Sequence, residues 1–151
     1  MSLKEYHKKR NFKKTAEPEG KIKKNSAKKL IYVIQSHFAR NHHYDLRLEM
    51  NGVLKSWAVP KEPPKAKGIK RLAVMTEDHP IGYEKFHGEI PQGEYGGGKV
   101  EIWDKGFYEL KIKDDKKIEF NIHGRKLKGM YVLVKTNFGS KPEKSWLFFK
   151  I

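Results

Sequence analysis

The stretch HHYDLRLEMNGVLKSWAVP, residues 42–60, predicts a β-hairpin with one dry, apolar face and one wet face. Polar and apolar side chains alternate before Asn51-Gly52, and Asn-Gly is the strongest short-range signal for a two-residue hairpin turn. The predicted cross-strand pairs are Met50 with Val53, Leu48 with Lys55, Leu46 with Trp57, Tyr44 with Val59, Arg47 with Ser56, and Asp45 with Ala58. Cross-strand partners share a face. The apolar pairs therefore pack on the core, and small partners leave open space above Asp45 and Arg47.

Short β-rich segments continue on both sides of this hairpin. They read LIYVIQSH before it, and RLAVMT, KVEIWD, FYELKI, KIEFNI, MYVLVKT and SWLFFKI after it, separated by Gly, Pro, Asp-Asp or Asn. YEKF fits one helical turn. About nine short strands at this spacing predict a mainly β fold, a compact antiparallel β-barrel with short helical turns, and a sandwich is the related alternative.

The N-terminal residues 1–28 differ in composition from residues 29–151, for which we expect a single barrel domain. They are rich in lysine and lack an apolar period, and Pro18 and Gly20 would break a helix begun near Leu3. Two interpretations stay open for this basic N-terminal arm. It is either solvated and partly disordered, or it lies along nucleic-acid phosphates.

The charge balance points to a polyanionic partner. The 151 residues carry a net charge of +15, from 33 Lys and Arg against 18 Asp and Glu. Such an excess favours nucleic acid or an anionic surface. We find no apolar run long enough for a membrane span and no signal peptide, so we expect a cytoplasmic protein without a membrane partner. Cysteine is absent, so any metal must be held by His, Asp or Glu.

The polar face of the hairpin carries candidate ligands for a metal. His43 and Asp45 are two residues apart on one strand and project the same way, and His37 could supply a third ligand. Arg47 continues this face, and its guanidinium suits a phosphate. The alternatives are a surface His–Asp hydrogen bond and an exposed ion pair of Arg47 with Glu49 or Asp45.

Two further segments carry candidate residues. His79, in TEDHPIGY, is placed in a loop at a strand end, where it could act as a general acid or bind phosphate, or cap a turn around Asp78. Tyr83 could donate a hydrogen bond or pack in the core. The segment GEYGGGKV resembles a phosphate loop, but Val100 follows Lys99 and a strand follows the loop, so these glycines are assigned to a turn or bulge.

Taken together, these motifs resemble a known family. SHFARNHHYDLRLEMNGVLKSWAVPK, then RLAVMTEDHPIGYEKFHGEIPQGEYGGGKVEIWDKGFYE and LKGMYVLVK, are similar to the 3′-phosphoesterase domain of bacterial DNA ligase D, as is the initial YHKKRNFKKTAEPEG. The resemblance covers nearly the whole chain, so we expect a stand-alone member. It implies a β-barrel enzyme that uses a divalent metal, typically Mn²⁺, to remove a 3′-terminal phosphate from DNA. Many members also remove a terminal ribonucleoside.

The resemblance also implies roles for individual residues. It assigns the metal to His37, His43 and Asp45, and the scissile phosphate to Arg47, His79 and Tyr83. Further phosphate- or DNA-binding positions are Lys61, Arg71, Arg10 and Gln35, and the positions associated with nucleoside removal are Glu17, Glu77 and Asn11. The family usually has aspartate where this chain has Asn11. Because an amide cannot be an anionic ligand or base, we expect nucleoside removal to be weakened and phosphate removal to persist.

The mechanism expected from these assignments has Arg47 and His79 clamping the phosphate, with protonated His79 giving a proton to the leaving oxygen. A covalent phosphohistidine is neither supported nor excluded by the sequence. The expected partners are primer–template or nicked DNA and, functionally, a ligase and a polymerase, with the chain acting as a monomer. Two rival classes remain: a two-histidine-one-carboxylate iron oxygenase, and a non-catalytic nucleic-acid-binding barrel.

Overall fold

The computed structural model describes residues 2–22, 29–137, 139 and 141–151. Nine strands dominate it: β1 Leu30–Phe38, β2 His42–Met50, β3 Val53–Val59, β4 Lys70–Pro80, β5 Gly88–Ile90, β6 Gly98–Lys113, β7 Lys117–His123, β8 Lys128–Lys135 and β9 Ser145–Lys150. The helical elements are α1 Lys4–Lys8 and two 3₁₀ turns, Tyr83–Lys85 and Pro142–Lys144. Among the described residues, no helical segment has the length and hydrophobicity that crossing a lipid bilayer requires.

Eight of these strands close into an antiparallel barrel. The hydrogen-bonded order is β1-β2-β3-β4-β9-β8-β7-β6, and β6 pairs back onto β1. The short strand β5 adds to β6 outside this ring. Closure leaves no free edge among the eight strands. The prediction of a mainly β, antiparallel barrel with short helical turns is therefore confirmed.

The central hairpin has the predicted register. Asp45 faces Ala58 and Arg47 faces Ser56, and the four apolar-side pairs also occur as predicted. Asn51 and Gly52 have φ angles of 51° and 84°. Two consecutive positive φ angles are the requirement of a type I′ turn, whose twist matches that of the flanking strands.

The barrel interior is filled by one aromatic-rich apolar cluster. Its buried aromatic members are Tyr32, Trp57, Tyr108, Phe120, Tyr131, Trp146 and Phe148. Leu46 and Leu48 of the hairpin are in the same cluster and have no exposed surface. Each large apolar side chain buried in this way contributes about 1.5–3 kcal/mol, so this face anchors β2 and thereby sets the direction of its other face.

Three strands differ from the sequence expectation. KVEIWD and FYELKI form one continuous strand, β6. Gly106 lies within this strand and lets the backbone of His123 approach closely, since a Cβ at this position would be 2.0 Å from the carbonyl oxygen of His123. Strand β4 continues to Pro80 because a bulge opposite Lys55 shifts its pairing with β3. The short strand β5 was not predicted.

The described part of the N-terminal arm packs against the barrel. Residues 2–22 include the buried side chains of Leu3 and Tyr6. Tyr6 belongs to a second apolar cluster on the outer wall of the barrel, together with Leu54, Tyr83, Phe86, Ile90 and Val100. For residues 2–22 this packing differs from a solvated, disordered arm, and contact of the arm with nucleic-acid phosphates stays a prediction. Residues 23–28 lie outside the described residues. The arm covers the face of β2 that we expected to be wet.

Candidate active site

The outer face of β2, β3 and β4 forms the floor of a pocket of about 300 Å³. The N-terminal segment and residues 83–100 form its walls. Its polar lining consists of Arg10, His37, His43, Asp45, Arg47, Thr76, Glu77, His79, Tyr83 and Tyr95. Most of the predicted site residues therefore meet in one cavity, and the prediction of open space above Asp45 and Arg47 agrees with it.

Three donor atoms converge at one end of the pocket. Nδ1 of His37 lies 3.2 Å from Nε2 of His43 and 3.5 Å from Oδ2 of Asp45, and Nε2 of His43 lies 3.3 Å from Oδ1 of Asp45. Ligands that share one ion at about 2.1 Å are about 3.0–3.5 Å apart. The three residues therefore fit a single divalent metal ion.

Backbone carbonyls fix the ring orientation of both histidines. The other ring nitrogen of His37, Nε2, is 2.6 Å from the carbonyl oxygen of Gly96, and Nδ1 of His43 is 2.9 Å from that of Asn41. A carbonyl only accepts, so these nitrogens carry protons, and the opposite nitrogens, Nδ1 of His37 and Nε2 of His43, are left to bind a metal ion beside Asp45. Support of this kind is typical of histidines that bind metal.

Charge within the pocket keeps Asp45 ionised. Burial alone would raise the pKa of this carboxyl, but Arg47 and then the two histidines outweigh burial and hold the pKa well below its usual range. Burial also opposes protonation of His43, and its bond to Asp45 outweighs that effect and raises the pKa of His43. A metal ion would compete with this proton for Nε2.

Arg47 is held from several sides. Its Nε donates to Oε1 of Gln35 at 2.6 Å, its Nη1 donates to Oγ of Ser56 at 2.9 Å, and its Nη2 lies 3.4 Å from Asp45. Gln35 in turn donates to the carbonyl oxygens of Tyr83 and Phe86. Gln35 was predicted to bind phosphate or DNA, but it is fully buried and both polar ends of its side chain are occupied. Its role in the structure is to position Arg47.

Arg10 joins the N-terminal segment to the pocket. Its Nε donates to Glu17 at 2.9 Å, its Nη1 donates to Glu77 at 3.1 Å, and its Nη2 lies 3.3 Å from Nε2 of His79. The side chains of Arg10, Glu17 and Glu77 are all at least 95% buried. Glu17 and Glu77 were predicted to serve nucleoside removal, and they are held here as the counterions of Arg10.

His79 lies within β4, opposite Leu54 of β3, and not in the predicted loop. The bulge in β4 brings both Glu77 and His79 into the pocket, as bulges beside active sites often do. Nδ1 of His79 is 3.0 Å from the carbonyl oxygen of Glu77, so Nδ1 carries the proton. Its Nε2 accepts from Arg10. Burial, then Arg47 and Arg10, holds the pKa of His79 well below its usual range, so the expected protonated acid is not its resting state.

We expect His79 to remain neutral well below pH 6.5 in the metal-free protein. The unfolded chain binds a proton at this histidine below about pH 6.5 and the folded chain does not. This residue therefore lowers stability as the pH falls from about 6.5 towards its folded pKa. Nitrogen NMR of the imidazole should show the neutral Nδ1–H form at pH 6. A midpoint at or above 6.5 would contradict this arrangement.

Tyr83 was predicted to contact the phosphate, and its ring lines the pocket beside His79 and Arg47. Its hydroxyl group, however, donates to Oε2 of Glu17 at 2.6 Å. Burial, offset in part by Arg47 and reinforced by Glu17, raises the pKa of Tyr83 well above its ordinary value. The hydroxyl of Tyr83 is therefore protonated and bonded to Glu17. The part of Tyr83 that faces the site is its ring.

Five predicted residues lie outside the pocket lining: Gln35 and Glu17, which support Arg47 and Arg10 from behind, and Asn11, Lys61 and Arg71. Asn11 is exposed, and its Oδ1 accepts from the backbone N–H of Lys13 in a turn. Lys61 is exposed just after β3. Arg71 donates from Nε to the carbonyl oxygen of Glu62 at 2.8 Å and so tethers the segment that carries Lys61. Lys61 is thus placed to reach only a ligand that extends beyond the pocket.

Sequence reasoning missed several residues of the site. Ser56 was noted only as a small partner of Arg47, and its hydroxyl accepts from that arginine. Tyr95 lies at the rim, its ring under the charges of Lys9 and Arg10. Gly96 supplies the carbonyl that orients His37. The glycine cluster GEYGGG was the available signal, since glycines mark close backbone approach.

Comparison with known proteins supports one family. Residues 35–135 match the family described as the DNA ligase D 3′-phosphoesterase domain. The multifunctional non-homologous end joining protein LigD of Pseudomonas aeruginosa is 44% identical across 98% of this chain. The LigD proteins of Mycobacterium tuberculosis and Mycolicibacterium smegmatis are 47% and 46% identical across 89% and 94% of it. The chain spans 18–19% of the length of these relatives.

Proposed function

We propose, from the premise that this chain belongs to the DNA ligase D 3′-phosphoesterase domain family, that it removes a 3′-terminal phosphate from DNA and leaves a 3′-hydroxyl. One observation carries the proposal. A His–His–Asp metal site and the guanidinium groups of Arg47 and Arg10 line one pocket, which is a suitable arrangement for a phosphate ester. The net charge of +15 adds attraction for DNA.

We propose His37, His43 and Asp45 as the ligands of Mn²⁺. The donor set of two imidazoles and one carboxylate, without thiolate, suits a borderline divalent ion. When bound, such an ion neutralises a phosphate oxygen and lowers the pKa of a water molecule. The hydrogen bonds from the two histidines to the backbone carbonyls of Gly96 and Asn41 support this assignment, because they turn the other ring nitrogens towards the metal position.

The two arginines would bind the remaining phosphate oxygens. Arg47 is held rigidly by Gln35 and Ser56, so its charge needs little reorganisation as negative charge shifts during the reaction. Arg10 would exchange its contact with Nε2 of His79 for a contact with phosphate. That exchange releases the lone pair of His79 towards the substrate.

The neutral resting state of His79 suggests a route for the proton. A phosphate monoester with a second pKa of about 6 is partly protonated at neutral pH. We propose that Nε2 of His79 accepts this proton from the bound phosphate and passes it to the leaving 3′-oxygen. The phosphate also offsets the positive charge of Arg10 and Arg47, so it favours the protonated form of His79 while bound.

Removal of a terminal ribonucleoside is the second activity that we propose, at a reduced rate. Glu17 and Glu77 both hold Arg10, and Glu77 lines the pocket. Asn11 stands where the family usually has aspartate, and its exposed side chain brings no negative charge to the pocket. We therefore expect the phosphatase step to be faster than nucleoside removal.

The broader context is proposed from the relatives. Their names describe proteins of non-homologous end joining, so we propose DNA ends, in primer–template or nicked duplexes, as substrates for this chain. A ligase and a polymerase would use the healed end, and we propose a cytoplasmic monomer. A non-catalytic DNA-binding barrel remains the alternative function. It leaves the ordered His–His–Asp group without a purpose, and an iron oxygenase leaves the two arginines unexplained.

An end-processing assay tests the proposal. The substrates are 5′-labelled primer–templates that end in a 3′-phosphate or in one ribonucleotide, with Mn²⁺ or with chelator. We expect Mn²⁺-dependent conversion of the phosphate end to hydroxyl, and slower loss of the ribonucleoside. Intact duplex binding without conversion in any divalent metal would instead favour the binding barrel.

A further inference from the structure

A second concave surface lies on the outer wall of the barrel beside the pocket. This surface, the upstream groove, is lined by Ile31, Val33, Lys85, Lys105, His123 and Arg125, among others, and encloses about 650 Å³. We propose that it binds the DNA backbone several nucleotides upstream of the 3′ end held in the pocket. This inference rests on the proposed function and extends it from the terminal phosphate to the DNA behind it.

Strand β1 connects the groove to the pocket. Successive odd residues of a strand project to one face, so Ile31 and Val33 share the outer face with Gln35 and His37. At a rise of about 3.3 Å per residue, these two groove positions lie about 13–20 Å from His37 along the strand. That interval corresponds to about four to six nucleotides at about 3.4 Å per nucleotide of one strand.

The cationic side chains of the groove are not neutralised by the protein. Lys85, Lys105 and Arg125 form no ion pair within 4.0 Å among residues 2–22, 29–137, 139 and 141–151. The acidic residue in the lining is Glu84, whose Oε1 accepts from the backbone N–H of Gly82 at 2.6 Å. His123 pairs with Glu109 at 2.7 Å. Three uncompensated cations therefore remain for an anionic ligand.

The wall that carries Arg125 is rigidly built. The buried carboxylate of Asp104 accepts from the backbone N–H groups of Arg125, Lys126 and Leu127 at 2.8, 2.9 and 3.0 Å, and from the hydroxyl of Tyr32. This carboxylate fixes the turn between β7 and β8. A fixed turn presents Arg125 beside Lys105 at a lower entropic cost than a mobile loop would.

The shape of the groove suits DNA better than an acidic peptide. Its floor includes the apolar side chains of Ile31 and Ile102, and its walls are basic, as expected for a positively charged groove that follows a nucleic-acid backbone. The ridge between groove and pocket is the segment from Tyr83 to Phe86. The side-chain amide of Gln35 donates hydrogen bonds to the carbonyl oxygens of both end residues of this segment. A strand whose end lies in the pocket can cross this ridge into the groove.

The double variant Lys105→Glu/Arg125→Glu tests the groove. Its matched control is Lys111→Glu/Lys113→Glu, which makes the same charge change near the far end of β6, outside both cavities. Binding and phosphate removal are measured on a 3′-phosphorylated primer–template of about 12 base pairs and on a 3′-phosphorylated oligonucleotide of about three, which is too short to reach the groove.

We expect the groove variant to bind the long substrate at least about tenfold more weakly, with a salt slope smaller by about 1.8, since each lost phosphate contact removes about 0.9. Its kcat/KM on the short substrate should stay within about twofold of wild type. An equal loss of affinity for the long substrate in the control variant would overturn the groove assignment. Undiminished binding of the long substrate by the groove variant would also overturn it, and an acidic peptide would then be the alternative ligand. If the wild type removes phosphate from neither substrate, the proposed function fails, and the binding data still decide the groove.

Discussion

Replacement of His43 by alanine is expected to reduce Mn²⁺-dependent phosphate removal by at least about a thousandfold. A bound metal supplies several kcal/mol of charge stabilisation to the reaction, and about 4 kcal/mol corresponds to a thousandfold in rate. His43 supplies one of the three donor atoms, and its loss leaves His37 and Asp45 as an incomplete site. The measurement is single-turnover phosphate release, together with Mn²⁺ affinity by calorimetry.

His42 provides a matched control for that variant. It is the adjacent histidine, is exposed, and contacts Oγ of Ser36 and the ring of Phe38, away from the three ligands. His42→Ala should therefore retain activity within about threefold, as expected for a surface substitution. Equal losses in both variants would indicate a general structural effect, and an active His43→Ala protein would remove His43 from the reaction.

Replacement of Arg10 by alanine is expected to destabilise the fold by about 3–5 kcal/mol, because it leaves the buried Glu17 without a cation and Glu77 with only the partly exposed Lys9. Glu17 and Glu77 both bond this guanidinium, and their side chains are only 1% and 3% exposed. The free energy of unfolding is measured by denaturant titration at neutral pH. Replacing both glutamates by glutamine in the same protein should recover much of the loss, since no buried charge then remains unpaired.

Lys9 is the control for Arg10. It precedes Arg10 in the chain and also pairs with Glu77, at 3.5 Å, but its side chain is 31% exposed. Such an exposed pair contributes about 0–1 kcal/mol, so Lys9→Ala should change stability little. An Arg10→Ala protein as stable as the wild type would show that Glu17 and Glu77 do not depend on this arginine.

The hairpin register and the grouping of His37, His43 and Asp45 follow from local patterns. Alternation along β2 and the Asn51-Gly52 turn determine which side chains share a face, and the register then follows without knowledge of the rest of the fold. This is why Asp45 and Arg47 were correctly placed opposite small residues. His37 was chosen because it lies six residues before His43 in the sequence, at the end of the preceding strand. A short connection between two paired strands brings such positions opposite each other.

The parts that were missed depend on contacts distant in sequence. Lysines obscure the apolar pair Leu3 and Tyr6, so the packing of the N-terminal segment on the outer wall leaves little local signal. The bulge in β4 places His79 within a strand, although Pro80 suggests a boundary before it. The pKa of His79 depends on Arg10, 69 residues away, and its neutral state could not be inferred from its sequence neighbours.

Several charged groups are buried outside the barrel core, together with the neutral His79. Asp45, Arg47, Glu77 and His79 are all at most 8% exposed, although they lie on the outer wall. Groups screened from water interact more strongly with a bound phosphate than exposed groups do. If the pocket binds phosphate as proposed, we therefore expect the covering N-terminal segment to strengthen that binding by excluding water.

The metal and phosphate assignments are tested by anomalous X-ray scattering from crystals grown with Mn²⁺ and a 3′-phosphorylated DNA end. We expect one manganese peak within about 2.0–2.3 Å of Nδ1 of His37, Nε2 of His43 and a carboxylate oxygen of Asp45, with the phosphate against Arg47. A manganese peak elsewhere, or a DNA phosphate bound away from Arg47 with no metal at the three ligands, would contradict these assignments.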